Sequence, residues 1–266
     1  MLGAIIGDIC GSAYEFHNVK RKDIELFPRE ASITDDSVMT VAVGMAMMDS
    51  RFKEIEYRSQ AVIDAMKYFG HLYPNAGYGQ RFYMWLRLFN TESYNSCGNG
   101  SGMRVSSVGW LFDTLEETLL NAKISAEVTH NHPEGIKGAQ AIAGSIFLAR
   151  NGKSKDEIKE FVIKFCEYDL DFTLDEIRPT YYHDETCQKS VPQAIVAFLE
   201  STDFEDAIRC AISIGGDSDT IADMTGAIAE AYYGGIPEWM AEKAKKYIPK
   251  TLQIQIDRFY NIICTD

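Results

Sequence analysis

Near its carboxyl-terminal end the chain reads Gly215-Gly216-Asp217-Ser218-Asp219-Thr220, in which two acids flank a serine and precede a threonine. Apolar residues recur with helical periodicity over 218–232, so we predict a helix there and place the acids at its start. The helix dipole favours an acid at this point, but it accounts for one acid and not for two. An EF-hand calcium loop is excluded, because its sixth position would be Ala222 and its twelfth Ile228 instead of glycine and glutamate.

A second cluster of the same kind, Thr34-Asp35-Asp36, opens a helix that we predict over residues 34–49. Thr34 is placed to cap this helix, and acids are favoured in its first turn. Carboxylates crowd together in a fold only where positive charge compensates them, and ligand sets made only of oxygen suit Mg²⁺ or Mn²⁺. Two such clusters from distant parts of the chain predict a site for two metal ions.

Helical periodicity extends over most of the chain, and we find no convincing alternating strand pattern. Further helices are predicted over 137–150, 156–168 and 191–200. Pro192 fits the first turn of the last of these. The segment from Ile177 to His183 is the candidate for a short extended piece. Because no low-complexity linker or internal repeat is found, we expect one all-α domain that comprises residues 1–266.

Small residues recur at regular intervals in three of the helical segments. They are Gly3, Gly7 and Gly11; Gly138, Ala139, Ala143 and Gly144; and Ala222, Gly226, Ala227 and Ala229. Glycine inside a helix costs up to about 1 kcal/mol relative to alanine. This cost favours a close approach of three helices around one centre, while tight core packing alone is an equally good explanation of the pattern.

The composition and charge exclude several classes of protein. The 266 residues are 46% hydrophobic and carry a formal net charge of −13, which argues against a nucleic-acid groove as the main surface. Six cysteines without a C-x-x-C pair predict free, mostly buried thiols in a reducing compartment. We find no signal peptide and no apolar run long enough to span a bilayer, so we expect a cytoplasmic protein without membrane association.

A long loop from Asn90 to Gly102 is rich in turn-forming residues and hydrogen-bond donors. A helix that starts near Ser101 would add a dipole favourable to an anion. Arg104, just beyond the loop, could neutralise a phosphate or pair with an acid. One of the nearby aromatic residues could stack on a base, although most of them belong to the core by expectation: Tyr78, Phe82, Phe89 and Tyr94.

Four blocks of sequence together carry a family resemblance. They are Gly3 to Asp8 with Tyr14-Glu15, Thr34 to Met39, Gly98 to Arg104, and Gly215 to Thr220. In this order, and over most of its length, the chain resembles the ADP-ribosylglycohydrolases. Thr129-His130 also looks like an element of that family. The resemblance implies a compact orthogonal multi-helix bundle of the ADP-ribosylglycohydrolase type, all-α in class.

The resemblance also implies a binuclear centre of two divalent cations, Mg²⁺ or Mn²⁺. By the motif match its ligands would be Thr34, Asp35, Asp36, Asp217, Asp219 and Thr220. Asp35 and Asp36 would also be catalytic, together with Glu15, which matches a family carboxylate that faces the site. The loop would hold a pyrophosphate through Ser96, Gly98, Asn99 and Gly100, and His130 matches a position near the ligand.

The activity implied is metal-dependent hydrolysis of the glycosidic bond at the distal ribose of ADP-ribose, with release of ADP-ribose from a modified protein or another acceptor. A non-catalytic ADP-ribose-binding or structural member of the same fold is an alternative, and a two-metal phosphohydrolase is another. The acceptor is open among arginine, serine, a nucleic-acid base and a small molecule. Also open are the choice between Mg²⁺ and Mn²⁺, the oligomeric state, and the role of Glu15 as base, acid or gate. Nucleic acid is expected as a partner only when it carries ADP-ribose.

Overall fold

A computed structural model describes residues 1–89 and 91–265, and α-helices make up its regular structure. In chain order the helices are α1 (Leu2–Ser12), α2 (Asp35–Ser50), α3 (Ile55–Leu72), α4 (Gln80–Arg87), α5 (Gly100–Met103), α6 (Val108–Leu111), α7 (Leu115–Glu127), α8 (Pro133–Arg150), α9 (Lys155–Cys166), α10 (Leu174–Ile177), α11 (Cys187–Glu200), α12 (Phe204–Ser213), α13 (Ser218–Tyr232), α14 (Glu238–Ala244) and α15 (Lys250–Ile263).

The predicted fold class is confirmed, since the two described ranges contain no strand and only an isolated antiparallel bridge between Gly98 and Thr186. The extended piece expected from Ile177 to His183 is wrong at its start, because Ile177 ends α10 and a turn follows. Thr173 caps α10 through a reciprocal capping box with Glu176, which fixes a helical turn where we had expected extended chain.

The predicted helix over 218–232 is confirmed as α13, and Thr34 caps α2 by accepting a hydrogen bond from the Asp36 N–H at 3.2 Å. The placement of Pro192 in a first helical turn is wrong, because α11 begins at Cys187 and Pro192 lies inside it. The reason is a tertiary contact. The Cys187 N–H donates to the Cys97 carbonyl at 3.0 Å, so the loop satisfies a group that a helix start otherwise leaves without a partner.

Helices α1 and α13 pack against each other through the glycines of α1. A Cβ placed on Gly7 would lie 2.0 Å from the Ala222 carbonyl oxygen, and one placed on Gly11 would lie 2.4 Å from the Asp219 Cα. The close approach predicted from the small residues is therefore real for this pair. It brings the carboxyl-terminal end of α1 beside the amino-terminal end of α13, where the acids lie.

The remaining helices complete the core around this pair. Helix α13 also contacts α8, α11 and α12, while α2 packs on α3 and α15. Cys10 and Cys210 are buried in the core, as expected, and all six cysteines are free. No helix within the described ranges is long and apolar enough to cross a membrane.

Candidate active site

One cavity of about 370 Å³ collects all twelve residues that the sequence proposed for the site. The ends of α1, α2 and α13 form its acidic side, and the loop before α5 forms another wall. Its lining comprises Glu15, Phe16, Thr34, Asp35, Asp36, Gly77, Gly79, Gln80, Arg81, Phe82, Tyr94, Ser96, Gly98, Asn99, Gly100, Met103, Arg104, His130, Glu185, Asp217, Asp219 and Thr220. Residues from both ends of the chain thus meet at one place.

The acids of this cavity form two overlapping groups. Asp8, Asp36 and Asp219 bring one carboxylate oxygen each within 4.8 Å of one another. Glu15, Asp217 and Asp219 do the same. We call the first the inner group, because its members are all buried, and the second the outer group, because Glu15 is half-buried. Asp219 belongs to both groups and joins them into one centre.

Asp8 is the member of this centre that the sequence analysis missed. Its carboxylate accepts hydrogen bonds from the Thr34 N–H at 2.9 Å, from the Thr34 hydroxyl at 2.7 Å and from the Ser37 N–H at 3.1 Å, and also from the Ser37 hydroxyl. Asp8 therefore fixes the first turn of α2, which carries Asp36. The sequence feature that could have identified Asp8 is its position as the one acid in helix α1, whose other residues are mostly apolar or glycine.

Asp35 and Thr220 lie at the cavity but outside both acid groups. Asp35 is half-buried, and burial together with the Asp8 charge raises its pKa to about 8. Thr220 is buried in the first turn of α13, where its N–H donates to the Asp219 carboxylate at 3.0 Å. Their proposed roles as metal ligands remain predictions.

Glu15 is held over the centre by a turn between α1 and the glycine pair. The Asn18 side-chain amide donates to the Glu15 carbonyl at 2.7 Å and to the Gly216 carbonyl at 3.2 Å. Gly215 and Gly216 have φ of 67° and 78°, a left-handed conformation that favours glycine, and a Cβ on Gly216 would lie 2.4 Å from Tyr181. Burial and the nearby Asp217 charge raise the pKa of Glu15 to about 7.

The residues present suit a pair of hard cations. Burial followed by the Asp219 charge raises the pKa of Asp36 well above its ordinary value, and burial followed by the Asp217 charge does the same for Asp219. Within the described part of the chain, the buried Asp36 Oδ2 atom has no hydrogen-bond partner. A buried anionic oxygen in this state is costly unless a cation or water pairs with it. All-oxygen ligation of this kind is what Mg²⁺ and Mn²⁺ prefer.

The loop expected to bind phosphate lies against this centre. The Asn99 side chain donates to Asp217 at 2.6 Å, so the loop and the outer group are directly joined. The Asn99 N–H donates to the Glu185 carbonyl at 2.7 Å, and the Gly98 N–H donates to the Ser96 hydroxyl at 3.1 Å. Because these two N–H groups already donate within the protein, they are not free to donate to a phosphate. The expected helix start near Ser101 is confirmed, since α5 begins at Gly100. The first residue of the predicted loop, Asn90, lies outside the described residues.

His130 forms the wall behind the loop, where it is buried. Its Nδ1 atom lies 2.7 Å from the Thr129 hydroxyl, which also accepts a hydrogen bond from Arg104 at 2.9 Å. Its Nε2 atom lies 3.3 Å from the position that a Cβ on Gly100 would occupy, so a side chain there would close the gap. Burial and the charge of Arg104 lower the pKa of His130 well below its ordinary value, so the imidazole is neutral.

Two arginines, Arg81 and Arg104, line the cavity and bring positive charge to it. Arg81 donates to the Tyr94 carbonyl at 2.6 Å, and its guanidinium lies 4.9 Å from the centre of the Tyr94 ring. Arg104 is buried and donates to the Ser125 carbonyl at 2.8 Å as well as to Thr129, so its contacts are with neutral acceptors and not with an acid. Arg81 was not predicted from the sequence, because one arginine at a helix start carries no motif.

The four aromatic residues considered as a stacking platform differ in position. Tyr78 and Phe82 are buried in the core, as expected, although Phe82 also reaches the cavity wall. Phe89 is fully exposed and does not line the cavity. Tyr94 is half-buried, lines the cavity and has its ring 6.1 Å from that of His130. Of the four, Tyr94 is therefore the cavity-lining residue whose side chain is not buried.

Comparison with known proteins places this arrangement among related chains. The profile of the family described as ADP-ribosylglycohydrolase matches residues 1–264. The human ADP-ribosylhydrolase ARH3 (Homo sapiens) is 27% identical over 325 residues, which covers 93% of this chain and 88% of the human protein. The ADP-ribosylarginine hydrolase Tri1 of Pseudomonas putida (strain GB-1) is 30% identical over 179 residues, which covers 62% of this chain and 47% of that protein.

A solved structure shares the fold. A chain of an ADP-ribosylglycohydrolase-related protein complex superimposes with a TM-score of 0.70 and 20% sequence identity, over 97% of this chain and 95% of that chain. At this identity the similarity establishes the shared helical architecture.

Proposed function

The chain belongs to the ADP-ribosylglycohydrolase family, and on that premise we propose that it hydrolyses the glycosidic bond at the distal ribose of ADP-ribose with the help of two divalent cations. The products would be free ADP-ribose and the unmodified acceptor. The observation that carries the proposal is one cavity that is lined both by members of the joined acid groups and by Arg81 and Arg104. A substrate with a sugar bond to be cleaved beside cations and a pyrophosphate to be neutralised by arginine fits this combination of charged side chains.

We propose that the aspartates of the inner and outer groups, with Thr34, Asp35 and Thr220 beside them, hold the two cations. Mg²⁺ and Mn²⁺ are both suited to these oxygen ligands. Bound there, such cations would supply positive charge that polarises ribose hydroxyls or a water. The chain itself contributes the order of the ligands, since Asp8 fixes the start of α2 and Asn99 orients Asp217.

Glu15 is our candidate for the group that accepts a proton from water. Its half-buried carboxylate borders the outer group, and its pKa of about 7 lies close to neutral pH, where general bases are most effective. A cation bound beside it would favour the ionised carboxylate that this role requires. The transition state would resemble an oxocarbenium ion, and the surrounding carboxylates suit its positive charge.

Within the same cavity, Arg81 would face the pyrophosphate and Tyr94 would offer a ring face to the adenine. Ser96, Gly98, Asn99, Gly100 and His130 would shape the intervening wall. The glycines leave room beside the imidazole, as the contact at Gly100 indicates.

We also propose that the protein acts in the cytoplasm, which agrees with six free cysteines, and that nucleic acid is a partner only when it carries ADP-ribose.

The test is a panel of defined substrates incubated with the purified protein. It comprises peptides with ADP-ribose on arginine and on serine, and O-acetyl-ADP-ribose, each with Mg²⁺, with Mn²⁺ and with chelator. We expect free ADP-ribose as the product with metal and none with chelator. Binding without product would favour the non-catalytic alternative, and release of AMP with ribose phosphate would favour the phosphohydrolase.

A further inference from the structure

Asp223 is a buried carboxylate that belongs to neither of the two acid groups. It lies in α13, four residues after Asp219, and is fully buried. Both of its carboxylate oxygens lack a hydrogen-bond partner within the described residues. An ionisable side chain in this state carries a substantial penalty. The charge of the amino-terminal ammonium of Met1 opposes the rise in the pKa of Asp223, but this group donates to Glu230 at 2.8 Å and not to Asp223, so the carboxylate still calls for a hydrogen-bond partner.

Asp223 lies next to helix α1, which carries Asp8 of the inner group. Helix α1 runs closely past it, since a Cβ on Gly7 would lie 2.5 Å from the Asp223 N atom. Burial and then the Asp8 charge raise the pKa of Asp223 well above its ordinary value. The charge of Asp223 in turn contributes to the raised pKa of Asp36. Asp223 is therefore electrostatically coupled to two of the three members of the inner group.

The hydrogen-bond donors of Thr34 and Ser37 near the inner group already donate to Asp8. Asp8 accepts four hydrogen bonds from Thr34 and Ser37, which belong to the start of α2. The Asp36 Oδ2 atom and both oxygens of Asp223 are buried and have no hydrogen-bond partner among the described residues. Acids that lie behind metal ligands commonly orient those ligands or bind water that completes the coordination of the metal.

We propose that Asp223 is a positioning residue for the cation held by Asp8, Asp36 and Asp219, acting through added negative charge and through hydrogen bonds from buried water. The proposal rests on the proposed function, since it requires that the inner group binds a divalent cation. It assigns Asp223 to the metal centre without making it a direct ligand, which agrees with its absence from the sets of mutually close oxygens.

The experiment measures Mn²⁺ binding by titration calorimetry, and the melting temperature in chelator, for the full chain and for Asp223→Asn. We expect metal affinity to fall by about 10- to 100-fold. In chelator we expect a melting temperature equal to or above that of the unsubstituted chain, because a buried carboxyl group without a hydrogen-bond partner has been removed. A residue with only a packing role would give the opposite pattern, with lower stability and unchanged affinity.

Glu230→Gln serves as the matched control on the same helix. Glu230 is also buried, but its carboxylate pairs with the amino-terminal ammonium of Met1 at 2.8 Å and accepts hydrogen bonds from the Gly3 N–H at 2.8 Å and from the Tyr260 hydroxyl. We therefore expect this variant to melt at a lower temperature in chelator and to bind Mn²⁺ as the unsubstituted chain does.

Each outcome has a defined meaning. If the unsubstituted chain binds no Mn²⁺ or Mg²⁺, the proposed metal centre fails and the role of Asp223 fails with it. If that chain binds metal and Asp223→Asn binds it equally well, only the role of Asp223 is overturned. Asp223→Ala is measured in parallel, and its folding with weakened metal affinity would support the proposal even if the asparagine variant did not fold. Failure of both variants to fold would overturn it.

Discussion

Asp219 is the residue on which the candidate centre depends most, because it alone belongs to both acid groups. We expect Asp219→Asn to lower turnover by at least about 10²–10³-fold, the loss typical of removing one electrostatic contact to a transition state. Asp35→Asn should have a smaller effect, since Asp35 lies outside both groups. Single-turnover rates of ADP-ribose release, with calorimetric titration of Mn²⁺, would measure both variants.

Asp257→Asn is a suitable control for these two variants, because Asp257 is an exposed acid on α15, far along the chain from the centre. It should leave rate and metal affinity unchanged. Equal losses for Asp35→Asn and Asp219→Asn would contradict the ranking, and a fully active Asp219→Asn protein would remove the binuclear centre from the mechanism.

Glu15 gives a prediction at the same scale that depends on pH. If its carboxylate accepts a proton, Glu15→Gln should slow turnover by about 10²–10⁴-fold. The rate of the unsubstituted chain should rise as pH passes through the pKa of Glu15, about 7 without bound cations and lower with them, because the ionised form is the active one. The glutamine variant should lose this rise in its pH–rate profile.

A gating role for Glu15 would give a different result. The loss in turnover would then be small and would come partly as weaker substrate binding, with the pH profile retained. Circular dichroism and Mn²⁺ titration of Glu15→Gln would establish that the variant is folded and still binds metal through Asp217 and Asp219.

At the scale of elements, the packing of α1 on α13 sets the geometry of the centre. A Cβ on Gly11 would lie 2.4 Å from the Asp219 Cα, and the neighbouring atoms are backbone that cannot rotate away. We therefore expect Gly11→Ala to force the helices apart and to lower the free energy of unfolding by about 1–3 kcal/mol. Urea unfolding in chelator would measure the loss, and Mn²⁺ affinity should fall with it.

Gly79→Ala provides the comparison for this substitution. A Cβ on Gly79 would meet no atom within 4 Å, so we expect a change in unfolding free energy within about 0.5 kcal/mol. A Gly11→Ala protein as stable as Gly79→Ala would show that the two helices can separate without cost, and the proposed link between packing and metal geometry would fail.

At the scale of the molecule, the clustered acids should make the metal-free protein sensitive to pH. The pKa of Glu15 is raised from 4.5 to about 7 and that of Asp35 from 3.8 to about 8. A raised carboxyl pKa contributes stability at low pH, where the native and unfolded chains both hold the proton. That contribution is lost as pH rises from about 4 to about 8. Melting in chelator should therefore occur at a lower temperature at pH 8 than at pH 5.

Bound cations should reverse this trend, because they stabilise the ionised carboxylates. Metal at 100 times its dissociation constant would add about 2.7 kcal/mol of stability. We expect the rise in melting temperature with Mn²⁺ to be larger at pH 8 than at pH 5. Identical melting curves with metal and with chelator at pH 8 would show that the acid groups bind no divalent cation.

We also propose that the chain functions as one domain over residues 1–266. The support is that α1 packs on α13 and α15 packs on α2, so helices from both ends of the chain join in one core. The candidate centre depends on this arrangement, since its acids lie in or next to the first helix, the second helix and the thirteenth.

The sequence by itself determined the features that depend on neighbouring residues. Helical periodicity predicted α13 correctly, the Thr34 cap set the start of α2, and the lack of alternating patterns gave the all-α class. Helix propensity, capping and periodicity act within a few residues, so they can be read along the chain. The two acid-plus-threonine clusters were visible for the same reason.

Only the tertiary structure decided which side chains meet. It added Asp8 to the acid centre, left Asp35 beside it, and brought Arg81 to the same cavity. It also started α11 before Pro192, because a carbonyl from a distant loop accepts a hydrogen bond from Cys187. Such contacts depend on how closely helices far apart in sequence approach one another, and the glycines of α1 predict that approach without specifying which carboxylates it brings together.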